Sequence, residues 1–352
     1  MLFTSQAFGD VAQGLPFGVI AQHHLALALH HLQIAISDSQ KSIDNATLIA
    51  VTSLATTAAI LGDVEAAQKH LAGLHRMVQL RGGLQTLEKG GMVEHKAQRY
   101  ETIIHHPFPY SIPLTSCRID IGVAMATGAS LQFFDDVSIS WETQLAHGVE
   151  IVGLTELIDL FPRPDPRLLN IWADLRFFCR EANEATKTGV KMSAAFFNRM
   201  TSTVPRRLFA LGGEYEETSL SELLRLSMLA FTKSVLVQIK GLGERLTMLA
   251  NGLRNALQAQ AAQATARPRD LEKVHLWILF ISALSIFENL QDNEWLRDAL
   301  LQSLSALGLQ AWPEIRSILK GLLWIDMLYN KPGKQLFELW LDVKESMQLV
   351  QN

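Results

Sequence analysis

The stretch Asp63-Val-Glu-Ala-Ala-Gln-Lys-His-Leu-Ala-Gly-Leu-His-Arg-Met-Val-Gln-Leu-Arg-Gly-Gly-Leu84 decides how this chain is read. Asp63 suits an N-cap, because its carboxylate can accept from the free amides of a first helical turn, and Glu65 adds negative charge where the helix dipole is positive. Ala67, Leu71, Leu74 and Val78 recur at steps of three and four, which puts them on one apolar stripe. Gly82 and Gly83 can adopt the positive φ that ends a helix. The preceding segment, Ala46 to Leu61, reads as a second apolar helix with Asp44 as its cap and Gly62 as its stop. Only Gly62 and Asp63 separate the two, so the link forces an antiparallel hairpin.

Outward from this hairpin, helical periodicity recurs and strand-like alternation is scarce. Leu25, Leu29, Leu32 and Ile36 mark a first long helix. Residues 82 to 118 carry four glycines and prolines at 107, 109 and 113, a composition that predicts loop. Phe161-Pro-Arg-Pro-Asp-Pro166 must be extended, since each proline pushes the residue before it away from helix, and helices resume from Arg167. Ser219 with Glu222 fits a capping box opening a helix to about Gly241 or beyond. Gln258 to Arg269 reads as an Ala/Gln-rich exit ended by Pro268. Four further helices are predicted over Asp270 to Leu290, Glu294 to Leu307, Pro313 to Tyr329 and Lys334 to Val350, with Pro313 placed where a missing N–H costs nothing. The fold class is all-α: a multi-helix bundle or helical-hairpin array forming a single large body over residues 1–352, with room for a subdivision near 160–167.

Composition narrows the function classes. With 352 residues, of which 48% are apolar, the chain can bury a sizeable core. A net charge of −4 argues against a surface built to neutralise phosphates. Met1 to Ile20 lacks a basic start followed by a continuous apolar run, so no secretory signal is expected. The longest apolar run, Leu276 to Phe287, has 12 residues counting Ser282 and Ser285. A bilayer span takes about 20, so a buried helix and no membrane partner are expected. Two cysteines, Cys117 and Cys179, point to a reducing compartment.

Candidate chemical groups are few. His23-His24 and His30-His31 repeat at seven residues, so His24 and His31 share a helix face about 100° from the leucine stripe. No Cys, Asp or Glu stands at four-residue spacing to complete a metal site with them. His105-His106 precedes Pro107 as an ordinary loop pair. Asp135-Asp136 invites comparison with isoprenoid cyclases, but the third acid and the second metal-binding motif are missing, which leaves a turn or cap role. Neither cysteine has a neighbouring histidine, no Gly-x-Ser-x-Gly elbow or phosphate loop occurs, and Gly241-Leu-Gly243 is too short for a dinucleotide fingerprint. Lys69, Arg76 and Arg81 stand among acids as a solvated face. No catalytic, cofactor-binding or metal-binding residue is assigned, and no cofactor is expected. Trp277, Phe280, Phe287, Trp295, Trp312, Trp324 and Trp340 crowd the last third, most of them as core, and that is where a cavity between helices for an apolar ligand is expected.

The residue order of the 63–84 helix resembles the signature helix of the fungal-specific transcription-factor regulatory domain, which normally follows a binuclear zinc cluster held by six cysteines. The likeness extends to Arg118-Ile-Asp120 with Ala124 and Gly128, to Lys273-Val-His-Leu-Trp-Ile-Leu-Phe-Ile, Glu294-Trp-Leu and Trp312-Pro-Glu-Ile-Arg-Ser-Ile-Leu-Lys-Gly-Leu-Leu-Trp-Ile-Asp326, and to Pro332-Gly-Lys-Gln-Leu-Phe-Glu-Leu-Trp340. Two thiols cannot hold two zincs, so this chain resembles the regulatory half without its DNA reader. The resemblance implies an all-helical regulator, nuclear or alternatively cytoplasmic, that acts through a partner transcription factor, a homodimer or an apolar small molecule. No direct specific DNA binding by this chain is expected. The alternatives are a repurposed helical body that binds or converts a specialised metabolite, and a helical scaffold.

Overall fold

The computed structural model describes residues 9–10, 13, 18–83, 112–133, 139–143, 165–236, 246–262, 267–287 and 293–351. Every regular element among them is helical: twelve α-helices and one short 3-10 turn, with no strand. The all-α reading stands. By their internal packing the residues divide into two compact units, 1–138 with 235–248 and 139–234 with 249–352.

The first unit is built on the hairpin. It contains α1 (Val19–Ser37), a 3-10 turn (Lys41–Ile43), α2 (Asn45–Ile60), α3 (Val64–Arg81) and α4 (Ile112–Thr127). Asp63 caps α3 as its side chain accepts from the Ala66 N–H at 3.0 Å, and Gly82 ends the helix at φ 109°. Ala67, Leu71, Leu74 and Val78 are the buried residues of α3, which is the predicted stripe. Arg81 at the end of α3 bonds Asn45 and the Ile43 carbonyl beside the start of α2, so the pair is antiparallel.

α2 is buried along nearly its whole length despite four Thr and Ser residues in its centre. Each of those hydroxyls donates to the carbonyl four residues back: Thr52 to Leu48, Ser53 to Ile49, Thr56 to Thr52 and Thr57 to Ser53, at 2.7–2.9 Å. A polar sequence can therefore sit in the core without an unpaired group. Asp44 occupies the N-cap position of α2, although its side chain makes no capping bond.

Two expectations fail in this unit. The inward face of α1 is Ala21, Leu25, Ala28 and Leu32, whereas Leu29 and Ile36 are exposed. Leucine spacing alone pointed to a stripe that mixes two faces, because small alanines supply half of the true one. The break over 82–118 is shorter than expected, since α4 begins at Ile112 and Pro113 falls in its first turn, where a proline is tolerated. Gly128, at φ 77°, ends α4.

The second unit holds α5 (Pro166–Thr188), α6 (Ala194–Ala210), most of α7 (Leu220–Leu236) and of α8 (Thr247–Ala262), α9 (Arg269–Ser285), α10 (Glu294–Leu307), α11 (Trp312–Gly321) and α12 (Asp326–Gln351). Asp165 caps α5 by accepting from the Arg167 N–H at 2.8 Å, and Pro166 is already helical at the first position rather than part of an extended run. The Glu222 N–H donates to Ser219 Oγ at 3.1 Å, one half of the predicted capping box. The other half is not made, because the Glu222 carboxylate instead grips Arg225 at 2.6 and 2.7 Å. Residues 258–262 of the Ala/Gln-rich exit form the end of α8. The apolar run from Leu276 lies buried within α9, the helix at the centre of this unit.

The largest correction concerns the C-terminal helices. A single helix over Pro313 to Tyr329 does not form, because the chain breaks at Leu322–Ile325, and α12 then runs through Pro332 and Gly333, between the two helices predicted there. The break is fastened by side chains from other helices. Trp277 Nε1 donates to the Leu323 carbonyl at 2.7 Å, and Asn183 from α5 bonds the Trp324 carbonyl and the Asp326 N–H. Arg316 and Lys320 converge on the Asp326 carboxylate at 2.7 and 2.9 Å, so an acid begins α12 where the dipole favours it. Tertiary bonds thus override a propensity that reads continuous helix.

Candidate functional site

Of the aromatic residues singled out in the last third, Phe280, Trp312 and Trp324 converge. Trp312 and Trp324 lie with ring centroids 6.2 Å apart, Phe280 stands 5.9 Å from Trp312 and edge-on to Trp324 at 6.3 Å, and Phe337 packs 6.3 Å from Trp312. Tyr329 stacks obliquely on Trp324 at 5.1 Å and meets Phe231 at 5.9 Å. Such tilted and edge-to-face pairs are the favoured ring geometries. Trp277 belongs to a neighbouring pair, edge-on to Trp172 at 5.0 Å, and Phe287 packs edge-on to Trp295 at 5.5 Å under the Arg254 guanidinium. Phe280, Phe337 and the two tryptophans thus form one aromatic box between α9, α11 and α12.

Gly333 is what lets α12 approach this box. A β-carbon there would lie 2.7 Å from the Trp312 ring and 3.1 Å from that of Trp324. Gly333 lies between two predicted helices, and its use is close packing of backbone against indole.

The polar groups at the box are few and distinct. Trp312 Nε1 donates to Asn330 Oδ1 at 3.1 Å. The Tyr329 hydroxyl lies 2.5 Å from Ser234 Oγ, which lies 3.0 Å from Ser285 Oγ, and Lys233 Nζ donates to the Ser285 carbonyl at 2.8 Å. Burial pushes the Tyr329 phenol up, so it is protonated across the physiological range and serves as a neutral donor or acceptor. Burial likewise pushes the Cys179 thiol up, which makes it unreactive as a nucleophile. Trp324 is fully buried, and its indole N–H, like those of Trp172 and Trp295, has no acceptor among the described residues. Leaving a buried donor unpaired costs about 1–3 kcal/mol.

The other polar centres of this unit act as fasteners. Asp174 and Arg207, both fully buried, pair at 2.5 Å, with Thr143 Oγ1 donating to Asp174 at 2.7 Å and Arg207 donating to the Glu142 carbonyl. They pin residues 142–143 onto α5 and α6. Glu272, His275 and Arg267 form a second group, with Glu272 3.4 Å from Arg267 and 3.6 Å from His275. Burial raises the Glu272 carboxyl, but the neighbouring His275 and Ser303 side chains and the nearby positive charge outweigh it and hold it at about 2. Burial lowers His275, so the imidazole is neutral at pH 7. In the first unit, the buried Asp120 accepts from the Gln132 and Phe133 N–H groups at 2.7 and 3.0 Å, and burial pushes its carboxyl up to about 6 against those bonds.

The remaining sequence candidates stay apart. His23 and His30 are exposed, His24 is half-buried and His31 exposed, and no group of three metal-binding side chains occurs among the described residues. Lys69 pairs with Glu65 at 2.6 Å, and Arg81 is committed to the hairpin. His105, His106, Asp135, Asp136 and Gly241–Gly243 lie outside the described residues, as does the side chain of Trp340. Asn183, Gly333 and Tyr329 carry no motif. Their only signals were an Asn inside a helix and a Pro-Gly pair between two predicted helices. No family model, curated protein or solved structure matches the chain.

Proposed function

We propose that this chain is a helical regulatory body that responds to an apolar small molecule carrying one hydrogen-bond acceptor, and that it governs transcription through a partner that holds the DNA reader. The observation that carries the ligand reading is the unmatched Trp324 N–H inside the aromatic box. A carbonyl, ether or hydroxyl oxygen would satisfy that donor, and the surrounding Trp312, Phe280 and Phe337 rings would cover the ligand's apolar body. Pro332 supplies no N–H to the ladder of α12, so the turns beside the box lack one restraint and are the natural place for a ligand to enter. The regulatory and nuclear parts of the reading rest on the resemblance of the 63–84 helix and the closing helices to the fungal regulatory domain.

The test is incubation of the full chain with an organic extract, followed by separation of bound material and mass spectrometry. Retained, unchanged apolar compound that raises the melting temperature and shifts tryptophan emission supports the sensor. Trp324→Phe, which keeps a ring and removes the N–H, should weaken that binding by roughly tenfold, equal to one neutral hydrogen bond. Turnover of the compound would favour the metabolic alternative instead. In a mobility-shift titration the chain should bind DNA only weakly and without sequence preference. Tight selective binding would sink the partner-dependent reading.

A further inference from the structure

The turn after α4 folds back onto that helix at Asp120, which is 3% exposed. No positive charge among the described residues meets this carboxylate: the groups that stabilise it are the Gln132 and Phe133 N–H groups, and Arg118, two residues earlier, makes no ion pair with it. Both N–H groups donate to Oδ2, at 2.7 and 3.0 Å, so Oδ1 has no donor among the described residues. A buried carboxylate with neither a counter-charge nor a full set of hydrogen bonds is costly.

Two more oxygens around Asp120 are unmatched. Gln132 is joined to Asp120 through its backbone, and its side-chain Oε1 is buried with no donor among the described residues. Ser116 precedes Asp120 by four residues, on the same side of α4, and is fully buried. Its Oγ makes no hydrogen bond among the described residues, not even the bond to the carbonyl four residues back that the hydroxyls of α2 make.

We propose that Asp120 Oδ1, Gln132 Oε1 and Ser116 Oγ bind a monovalent alkali cation. All three donors are oxygens, the ligands of hard cations, and no nitrogen or sulfur joins them, which disfavours zinc and its neighbours. One carboxylate balances one positive charge, whereas a divalent ion would leave a surplus charge in a buried place. A bridging water would satisfy the three oxygens but leave the carboxylate without a counter-charge. The ion would fasten the turn to α4, and with it Phe133, whose ring stands edge-on to His75 of α3 at 5.7 Å and whose carbonyl accepts from Cys117 Sγ at 3.9 Å. All of these residues belong to the first unit, so the site is independent of the ligand reading at Trp324.

Thermal melts of the full chain in sodium, potassium or tetramethylammonium chloride, at one ionic strength and about pH 7.5, decide the matter. Tetramethylammonium is too large to enter between the three oxygens. Expected is a melting temperature that rises by roughly 2 °C or more between about 1 and about 100 mM of sodium or potassium and stays flat without them. The alkali salt that acts at lower concentration names the ion. Asp120→Asn should abolish the rise. Should that variant fail to fold, Ser116→Ala carries the test, because it removes one donor and leaves the carboxylate: it should raise the half-saturating concentration by about threefold or more. Gln132→Glu adds a second carboxylate and should lower that concentration. Equal melting temperatures in all three salts overturn the proposal and leave the corner to a bridging water or a shared proton. So does a Gln132→Glu variant that melts lower in every salt and does not recover in sodium or potassium, since that result means the Gln132 amide donates to Asp120.

Discussion

Asn183 is bonded to both sides of the chain break at Trp324: its Nδ2 donates to the Trp324 carbonyl at 2.7 Å, and its Oδ1 accepts from the Asp326 N–H at 2.9 Å. A single amide thus stands in for the helical bonds that the break removes, and it fixes where the Trp324 ring sits in the box. Asn183→Ala leaves a carbonyl and an N–H without these partners and should destabilise the chain by about 2–4 kcal/mol. Asn183→Asp keeps the acceptor for Asp326 but turns a carboxylate oxygen onto the Trp324 carbonyl, so its loss should be at least as large. Denaturant melts followed by tryptophan emission check both, and equal stability of Asn183→Ala and the parent would refute the role.

Gly333 and Gly73 give opposite expectations for one substitution. At Gly333 the added methyl would meet Trp312 and Trp324 at 2.7 and 3.1 Å, so Gly333→Ala should cost about 1–3 kcal/mol and shift tryptophan emission. At Gly73, in the middle of α3, nothing lies within 4 Å of the new β-carbon. Gly73→Ala should therefore stabilise by roughly 0.5–1 kcal/mol through helix propensity. Thermal melts of the two variants should move in opposite directions, and movement together would contradict the close approach of α12 to the indoles.

The hairpin was legible in the sequence because local signals agreed there: an N-cap at Asp63, one apolar stripe and a glycine stop all point to the same helix. The box was legible only as a crowd of aromatic residues. Its making depends on contacts between residues far apart in the chain, such as Asn183 to Trp324 and Trp277 to Leu323, for which no local pattern exists. The predicted gap between Tyr329 and Lys334 closes for the same reason, since the use of Gly333 is close packing against the Trp312 and Trp324 rings. The outward face of α1 was hidden by its leucines, which satisfy two overlapping stripes until the alanines decide between them.

Leu71 is 1% exposed within the core shared by α2, α3 and α4. Leu71→Ala should destabilise by about 2–5 kcal/mol, the transfer cost plus that of the cavity left behind. Gln68, one turn earlier and off the stripe, is half-buried and should tolerate alanine with little change. Equal losses for the two in chemical denaturation would refute the assignment of faces on α3.

Asp120 supplies a prediction with a defined pH window. Burial raises its carboxyl from 3.8 to about 6, although the Gln132 and Phe133 N–H groups favour its ionised form. The folded state therefore holds a proton that the unfolded state releases between these two values. Its contribution to stability is fully present below the unfolded value, falls as the pH rises through that window, and is gone above about 6. Other carboxylates run the opposite way: Glu272, held at about 2, stabilises the fold above its ordinary 4.5 and loses that contribution only as the pH falls towards 2. The two windows barely overlap, so Asp120→Asn separates them. Asparagine keeps an oxygen for the Gln132 and Phe133 donors and cannot titrate, so the variant should lose the Asp120 component of the slope between pH 4 and 6 and keep the acid limb below it. Urea denaturation of parent and variant at about pH 4.5 and about pH 6.5 measures this, with a stability difference that varies with pH as the expected result. A difference that stays constant across the window would mean that Asp120 is ionised throughout and acts only as an acceptor for the turn at Gln132 and Phe133.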